Sequence, residues 1–390
     1  MTLHPLFGHE DARRMVARSH HAGRLPSSLL LHGPKGVGKQ RFALWIAQLS
    51  VCEQPDAETG PCDACRNCRL LLSLEHPDVH WYMPLSRPSR VSGDKLVDAL
   101  EEARHEMLQH YRENGLRSSH SPDVTGLYIG TVRSLRKRAH IRPSMAPGPV
   151  FIVGDAELLV PQEASQEAAN ALLKLLEEPP GEARFILTSS VPGSLLPTIR
   201  SRTVPLLLSP LPEETIREIL VERLDVPEER ASTVAKLGQG SLGRALGFLP
   251  PDDDEEAPLN ALRRDAFNIL RSALERRRHG AHQLALAYGP SGARGLLDLF
   301  QILEEWIRDL AAVLAEGETP AFHQDTAEAL GKLAARSGVQ AARVPLALRA
   351  VERAQELARG NVNPQLVVAG LVLDLGDALL PSTTTAAHRT

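Results

Sequence analysis

The first half of the chain alternates short apolar runs with segments of helical spacing. Apolar runs occur at residues 27–33, 149–159 and 183–190, and each is typical of a buried strand. Helical spacing follows at residues 39–50, and again at 165–180, where Pro179 ends the pattern. Because strands alternate with helices, the pattern predicts an α/β fold with a parallel sheet whose ligand site lies at the carboxyl ends of the strands.

From about residue 209 onward the pattern is helical. An acidic, proline-flanked run at residues 250–258 predicts a solvated linker. Apolar positions from 296 to 314 predict an amphipathic helix closed by Gly317, and residues 363–380 predict the last helix. The tail, residues 382–390, is expected to be disordered.

Residues from about 84 to 125 interrupt the α/β pattern. Their ends are rich in turn residues and their middle is charged and potentially helical. We therefore expect an insertion on the α/β domain, and the sequence assigns it no function.

Composition narrows the class of protein. The chain has 390 residues, which predicts two or three domains. Its 44 Lys and Arg against 48 Asp and Glu give a net charge of -4, which argues against a protein that coats nucleic acid or an anionic membrane. The charged N-terminal stretch and the lack of an apolar run of roughly twenty residues predict a cytoplasmic protein.

The stretch GPKGVGKQ lies between the first strand and its helix. It differs from the phosphate-loop pattern G-x-x-x-x-G-K-[ST] only at Gln40. In such a loop Gly33, Gly36 and Gly38 shape the backbone and Lys39 reaches phosphate oxygens. Because an amide on a longer arm is a poorer Mg²⁺ ligand than a hydroxyl, we expect weakened, metal-poor nucleotide binding. A loop that binds nothing is an equally open alternative.

The second strand ends in Gly154-Asp155-Ala156-Glu157. Hydrolysis needs acids at this point for the metal and the attacking water, yet glycine stands where the metal-binding Asp is expected. Asp155 is a candidate for the cofactor site, although ordinary solvated acids are the favoured interpretation of Asp155 and Glu157. The two departures together predict absent hydrolysis.

All four cysteines fall within seventeen residues, at Cys52, Cys62, Cys65 and Cys68. Two C-x2-C gaps in a cytosolic setting favour a structural tetrahedral zinc site over a redox pair or four reduced thiols.

Two arginine-bearing stretches are candidates for phosphate contacts. Arg200 and Arg202 either pair with acids on the surface or deliver an arginine to the γ-phosphate of a neighbouring subunit. Residues 133–142 are the most basic stretch and either face DNA or form a solvated helix face.

These elements together resemble a known family. The phosphate loop, the cysteine module, VFIVGDAELL, NALLKLLEEPP and TIRSRT resemble the clamp-loader branch of the AAA+ ATPases. Within it they are most similar to the delta-prime subunits of bacterial DNA polymerase III. The resemblance covers most of the chain outside the insertion.

The resemblance implies a domain division. Residues 1–208 would form a P-loop AAA+ domain with a zinc module at 52–68, residues 209–249 a small helical lid, and residues 259–381 an all-α collar for oligomerisation. Arg202 would be the arginine finger, with Thr203 in place of the family's Cys. The lid carries Gly243 where motor subunits of the gamma/tau type have an arginine, and Arg244 follows it.

The resemblance also implies a function. The chain would be a largely non-hydrolysing subunit of the polymerase III holoenzyme, in a five-subunit ring with gamma/tau and delta, acting on the sliding clamp and primer-template DNA. It would carry zinc, with doubtful ATP binding and no Mg²⁺ site. A hydrolysing gamma/tau-like subunit, and a zinc-dependent DNA-binding protein outside replication, are the alternatives.

Overall fold

The chain forms two compact units, one of described residues up to Leu246 and one from Gly247 onward. The computed structural model describes residues 3, 5–88, 91–114, 125–159, 166–250, 256–275, 278–289, 295–315, 322–360 and 362–380. Among these residues, no helix is both long and apolar enough to cross a membrane.

The described residues of the first unit form seven strands. They are β1 Ser28–His32, β2 Val79–Tyr82, β3 Leu85–Ser86, β4 Thr125–Gly126, β5 Val150–Val153, β6 Arg184–Ser189 and β7 Val204–Leu207. Five of them make one parallel sheet in the order β2-β5-β6-β1-β7, and β3 pairs with β4 in a small antiparallel ribbon. The predicted parallel α/β fold is confirmed.

Ten α-helices begin within the described part of the first unit. They are α1 Glu10–His21, α2 Lys39–Val51, α3 Arg66–Leu72, α4 Asp94–Asn114, α5 Ile129–Ala139, α6 Gln166–Glu177, α7 Pro197–Arg200, α8 Glu213–Leu224, α9 Glu228–Gly238 and α10 Leu242–Gly247.

Strand alternation gives the sheet two buried faces. Successive side chains of a strand point to opposite faces. Leu29 and Leu31 therefore join the core with α1, α2 and α4, whereas Leu30 packs on the other face with residues of α5 and α6. Covered on both sides, the sheet exposes the carboxyl ends of its strands as the place for polar chemistry.

The insertion packs against the sheet through its helix. In α4, Leu96, Leu100 and Leu108 are buried, and Tyr111 stacks on Trp81 with ring centroids 5.2 Å apart. Glu101 accepts hydrogen bonds from Ser134 of α5 at 2.6 Å and from Arg104 and Arg138. The charged, helical middle predicted for residues 84–125 is present, and it belongs to the core of this unit.

The second unit is entirely helical in its described part. Its α-helices are α11 Pro258–Leu274, α12 Arg278–Leu286, α13 Leu296–Leu314, α14 Ala327–Ser337, α15 Val344–Arg359 and α16 Pro364–Leu379. The amphipathic helix α13 presents Leu299, Phe300, Leu303, Ile307 and Leu310 to the core.

Several predicted boundaries can be compared with these elements. Helix α13 ends at Leu314, and the predicted stop at Gly317 lies outside the described residues. The tail at 382–390 and residues 251–255 of the linker also lie outside them. The division into three domains stays a prediction.

Two strands of the main sheet, β2 and β7, are not predicted by the apolar pattern. In β2 a histidine and two aromatic residues replace the aliphatic run. Strand β7 contains Pro205 and lies at the edge of the sheet, where the missing N–H of proline is tolerated. Neither sequence has the uninterrupted aliphatic character of β1.

Candidate functional site

The phosphate loop lies between β1 and α2, as its sequence predicts. Gly33, Gly36 and Gly38 all have positive φ, at 149°, 78° and 101°, and α2 begins at Lys39. His9, just before α1, places Nε2 2.8 Å from the carbonyl oxygen of Val37. The loop therefore has the expected strand-loop-helix setting, and a second element holds it.

Lys39 directs its ammonium group to oxygens of its own chain. Nζ donates to the carbonyls of Gly33 at 2.9 Å and Pro34 at 2.7 Å, and to Ser190 Oγ at 2.9 Å. The side chain is buried, and burial lowers the pKa of Lys39. Because an ammonium group has three donors, this arrangement uses all of them.

Gln40 and Gly154 fit each other across the site. Gln40 Nε2 donates to Asp155 Oδ2 at 3.0 Å. A Cβ atom on Gly154 would lie 3.1 Å from Gln40 Oε1 and 3.2 Å from its Cδ and Nε2. The departure at Gln40 from the phosphate-loop pattern and the glycine after β5 are therefore complementary, because the longer Gln40 occupies space that a side chain at 154 would need.

The interpretation of Asp155 and Glu157 as ordinary solvated acids is wrong. Asp155 is half-buried, accepts from Gln40, and donates its backbone N–H to Thr188 Oγ1 at 2.9 Å. Glu157 accepts from the backbone N–H of Ser190 at 2.8 Å. The turn after β5 directs both carboxylates towards β6 and the loop, which its sequence alone does not show.

The electrostatics of the site follow from this burial. Burial, and next the charge of Glu157, raise the pKa of Asp155 to about 6, while Lys39 and Lys35 act in the opposite direction. The carboxyl group therefore titrates near neutrality, where the proton competes with any cation for it.

The four cysteines come together at the end of α2 and the start of α3. Their sulfur atoms all lie within 4.8 Å of one another, and none forms a disulfide. A tetrahedral zinc with Zn–S bonds of about 2.3 Å needs sulfurs about 3.8 Å apart. The Sγ atoms of Cys62 and Cys68 are 3.9 Å apart. The donor set and its spacing fit a closed structural zinc site.

Backbone groups around the cysteines suit thiolates. The N–H of Cys62 points at Cys52 Sγ at 3.3 Å, and the N–H of Cys65 points at Cys62 Sγ at 3.3 Å. The backbone donors of Ala64 and Cys65 lower the pKa of Cys62 to about 7. Such donors stabilise sulfur in the charged form that binds metal.

Arg202 lies on the surface, just after α7. It forms an ion pair with Glu177 at the end of α6, and its Nη1 donates to the carbonyl of Thr198 at 3.0 Å. A third of its side chain is exposed. Arg200 is exposed two residues away. The guanidinium of Arg202 is thus folded back on its own subunit by contacts that exposure keeps weak.

The lid approaches the loop directly. The backbone N–H of Gly243 donates to the carbonyl of Gly36 at 2.9 Å. Arg244 Nε donates to the carbonyl of Leu237 at 2.8 Å. The basic stretch lies elsewhere, on α5, where Arg133, Arg136 and Lys137 are exposed.

Three contributors to the site were not predicted. His9, Ser190 and Thr188 act through contacts between residues far apart in sequence. The hydroxyls that end β6 were the available signal for Ser190 and Thr188.

The comparisons with known proteins identify the family of this chain. A family described as DNA polymerase III, delta subunit, matches residues 8–212, just over half of the chain. This chain belongs to that family. The matched region contains the loop, the cysteines and Arg202, and it confirms the resemblance to the delta-prime subunits of polymerase III.

Three relatives give the range of similarity. DNA polymerase III subunit delta' of Escherichia coli (strain K12) is 29% identical over 243 residues, which are 62% of this chain and 60% of that protein. The delta' subunit of Bacillus subtilis (strain 168) is 26% identical over 368 residues, 93% of this chain and 94% of that protein. Subunit gamma/tau of Mycobacterium tuberculosis (strain ATCC 25618 / H37Rv) is 29% identical over 248 residues, 62% of this chain and 35% of that protein.

The fit between Gln40 and Gly154 predicts a compensated pair of substitutions. Gly154→Asp should destabilise the fold by about 1–3 kcal/mol because the new side chain overlaps Gln40. Adding Gln40→Ser should recover much of the lost stability. Denaturant unfolding of the parent, the two single variants and the double variant measures this in a double-mutant cycle. Gly193→Asp is the matched control, since a Cβ there meets nothing within 4 Å. Additive losses would contradict the fit.

The raised pKa of Asp155 predicts that Asp155→Asn increases the free energy of unfolding, and that the increase depends on pH. The folded pKa of about 6 lies above the ordinary aspartate pKa of 3.8, so the folded state holds its proton to higher pH and loses stability as pH rises through this window. Asn removes that penalty and still accepts a hydrogen bond. Relative to the parent, the variant should gain on the order of 1 kcal/mol between pH 4 and pH 7.5. Thermal melts across this range test it, and a pH-independent difference would refute it.

The cysteine geometry predicts about one zinc per chain. Metal analysis should find that ratio, and Co²⁺ replacement should give the intense absorption of thiolate coordination. Chelation or Cys65→Ser should lower the melting temperature because the loop loses its cross-link. Metal-free protein with an unchanged melting temperature would exclude the site.

Proposed function

We propose that this chain is a delta-prime-type subunit of the DNA polymerase III clamp loader, which does not hydrolyse ATP itself and supplies Arg202 to a neighbouring ATPase. The observation that carries the proposal is the interlocked Gln40, Gly154 and Asp155. These residues place an amide and a glycine where a magnesium site needs a hydroxyl and a carboxylate.

The proposal includes a division of labour within the chain. The α/β domain, residues 1–208, carries the loop and a zinc module at residues 52–68, in which zinc is structural. The lid is residues 209–249, and the collar, residues 259–381, joins gamma/tau and delta subunits in the ring. The sliding clamp and primed DNA are contacted through that complex.

The surface position of Arg202 supports its proposed role. Its ion pair with Glu177 is partly exposed, and such pairs contribute about 0–1 kcal/mol. A triphosphate carries more negative charge than one carboxylate, so the guanidinium can exchange Glu177 for a phosphate of the adjacent subunit at little cost. There it would offset the charge that develops in the transition state.

Arg202→Ala should therefore leave this chain folded and able to assemble, while slowing ATP turnover at the neighbouring site. Arginine fingers contribute roughly 10³–10⁵ to the rate in well-studied systems. Arg202 would complete only one ATPase site of the ring. The total rate of hydrolysis therefore falls at most by the part that this one site contributes. Steady-state hydrolysis by the reassembled ring measures it.

Arg200→Ala is the matched control, because it removes the same charge from an exposed position two residues away. An Arg202→Ala ring that turns over at the parent rate would eliminate the proposed role. Hydrolysis by the isolated chain, abolished by Lys39→Ala, would instead favour a gamma/tau-like ATPase.

A further inference from the structure

We propose that Gly243 of the lid is the residue that excludes nucleotide from the phosphate loop, because it lets the lid backbone bind directly to Gly36. The inference deepens the proposed function and rests on it for the identity of the loop as a former nucleotide site. The inference adds that the lid closes the nucleotide site. Restoring the phosphate-loop sequence by substitution at Gln40 alone therefore does not restore nucleotide binding.

The turn between α9 and α10 brings the lid to the loop. Gln239 and Gly240 have left-handed backbone angles, φ 50° and 79°, which end α9 and reverse the chain. The N–H of Leu211 donates to the carbonyl of Gly240 at 2.8 Å. This bond ties the turn to the segment that leads from the sheet into the lid, so the turn has a fixed position.

The contact itself requires glycine at position 243. Its N–H donates to the Gly36 carbonyl at 2.9 Å, and a Cβ at 243 would lie 3.1 Å from both the Cα and the oxygen of Gly36. Those are backbone atoms, which cannot rotate away as a side chain can. A side chain at 243 therefore requires the lid and the loop backbones to separate, by a few tenths of an ångström for the Cβ atom itself, and a long side chain adds to this crowding.

Gly36 is enclosed from the same side by a buried lid residue. Ser241 is 4% exposed, and a Cβ on Gly36 would overlap its Oγ. That Oγ in turn accepts from the N–H of Arg244 at 3.0 Å, so it caps the start of α10. The serine is fixed by its own helix and cannot yield easily.

The side chains of the loop that would contact a nucleotide already form hydrogen bonds within the protein. Phosphate binding needs backbone N–H groups around the loop together with the lysine ammonium. Lys39 already satisfies three oxygens, and Gln40 is bound to Asp155. A nucleotide must break these bonds and also separate Gly243 from Gly36. Exchanging Gln40 alone leaves the lid contact in place.

The test compares the parent with Gln40→Thr, Gly243→Arg and the double variant, using a fluorescent ATP analogue with and without Mg²⁺. Binding by the parent and by Gln40→Thr should stay below detection. The double variant should bind at least about tenfold more tightly than Gln40→Thr. Gly193→Arg is the control, since it adds the same side chain where a Cβ has open space.

Hydrogen exchange in the parent protein tests the inference without a substitution. The Gly243 amide should be protected, and its protection should not change when ATP is added. Tight ATP binding by the parent, recovery by Gln40→Thr alone, or an unprotected Gly243 amide would each overturn the inference.

These outcomes are separable from failure of the proposed function. Nucleotide binding by the parent without turnover would defeat the role of Gly243 and leave that of Arg202 intact. If Arg202→Ala does not change ATP turnover by the ring, the proposed role of Arg202 fails and that of Gly243 is unaffected.

Discussion

The hydrogen bond between Gln40 and Asp155 is the contact on which the proposed loss of the metal site depends. It joins the first turn of α2 to the end of β5, in the space where a metal would bridge these two elements in a working site. Gly154 makes room for it, because any side chain there would contact Gln40. A polar cavity is thereby converted into an internal contact of the domain.

The charged groups around this hydrogen bond are also bound to one another or to the backbone. Asp155 and Glu157 lie near enough to Lys39 to act on its charge, and the Lys39 ammonium binds Ser190 beyond β6 and two carbonyls of the loop. Protein groups therefore link the carboxyl ends of β5, β6 and β1. The lid completes the arrangement through the bond between Gly243 and Gly36. By contrast, Arg202 is held by an ion pair whose two side chains are both partly exposed.

The features that depend on local sequence pattern could be predicted from the sequence. The strand-loop-helix around Lys39 follows from apolar periodicity, and the cysteine cluster follows from spacing, since two C-x2-C turns bring sulfurs together almost regardless of context. Strands β2 and β7 were missed because an aromatic strand and an edge strand with Pro205 lack an aliphatic run. The burial of Asp155 was missed for another reason. It arises from Gln40, 115 positions away in sequence, and pairing between such distant positions leaves no local signal.

If the Gln40–Asp155 pair takes the metal position as proposed, this chain binds no divalent cation beside its phosphate loop, and Mn²⁺ is a paramagnetic substitute for Mg²⁺ with which to detect one. Electron paramagnetic resonance of the isolated, zinc-loaded protein with Mn²⁺ and ATP should show only the signals of free Mn²⁺ and free Mn²⁺–ATP. A stoichiometric protein-bound Mn²⁺ signal that requires ATP and disappears in Lys39→Ala would contradict the account.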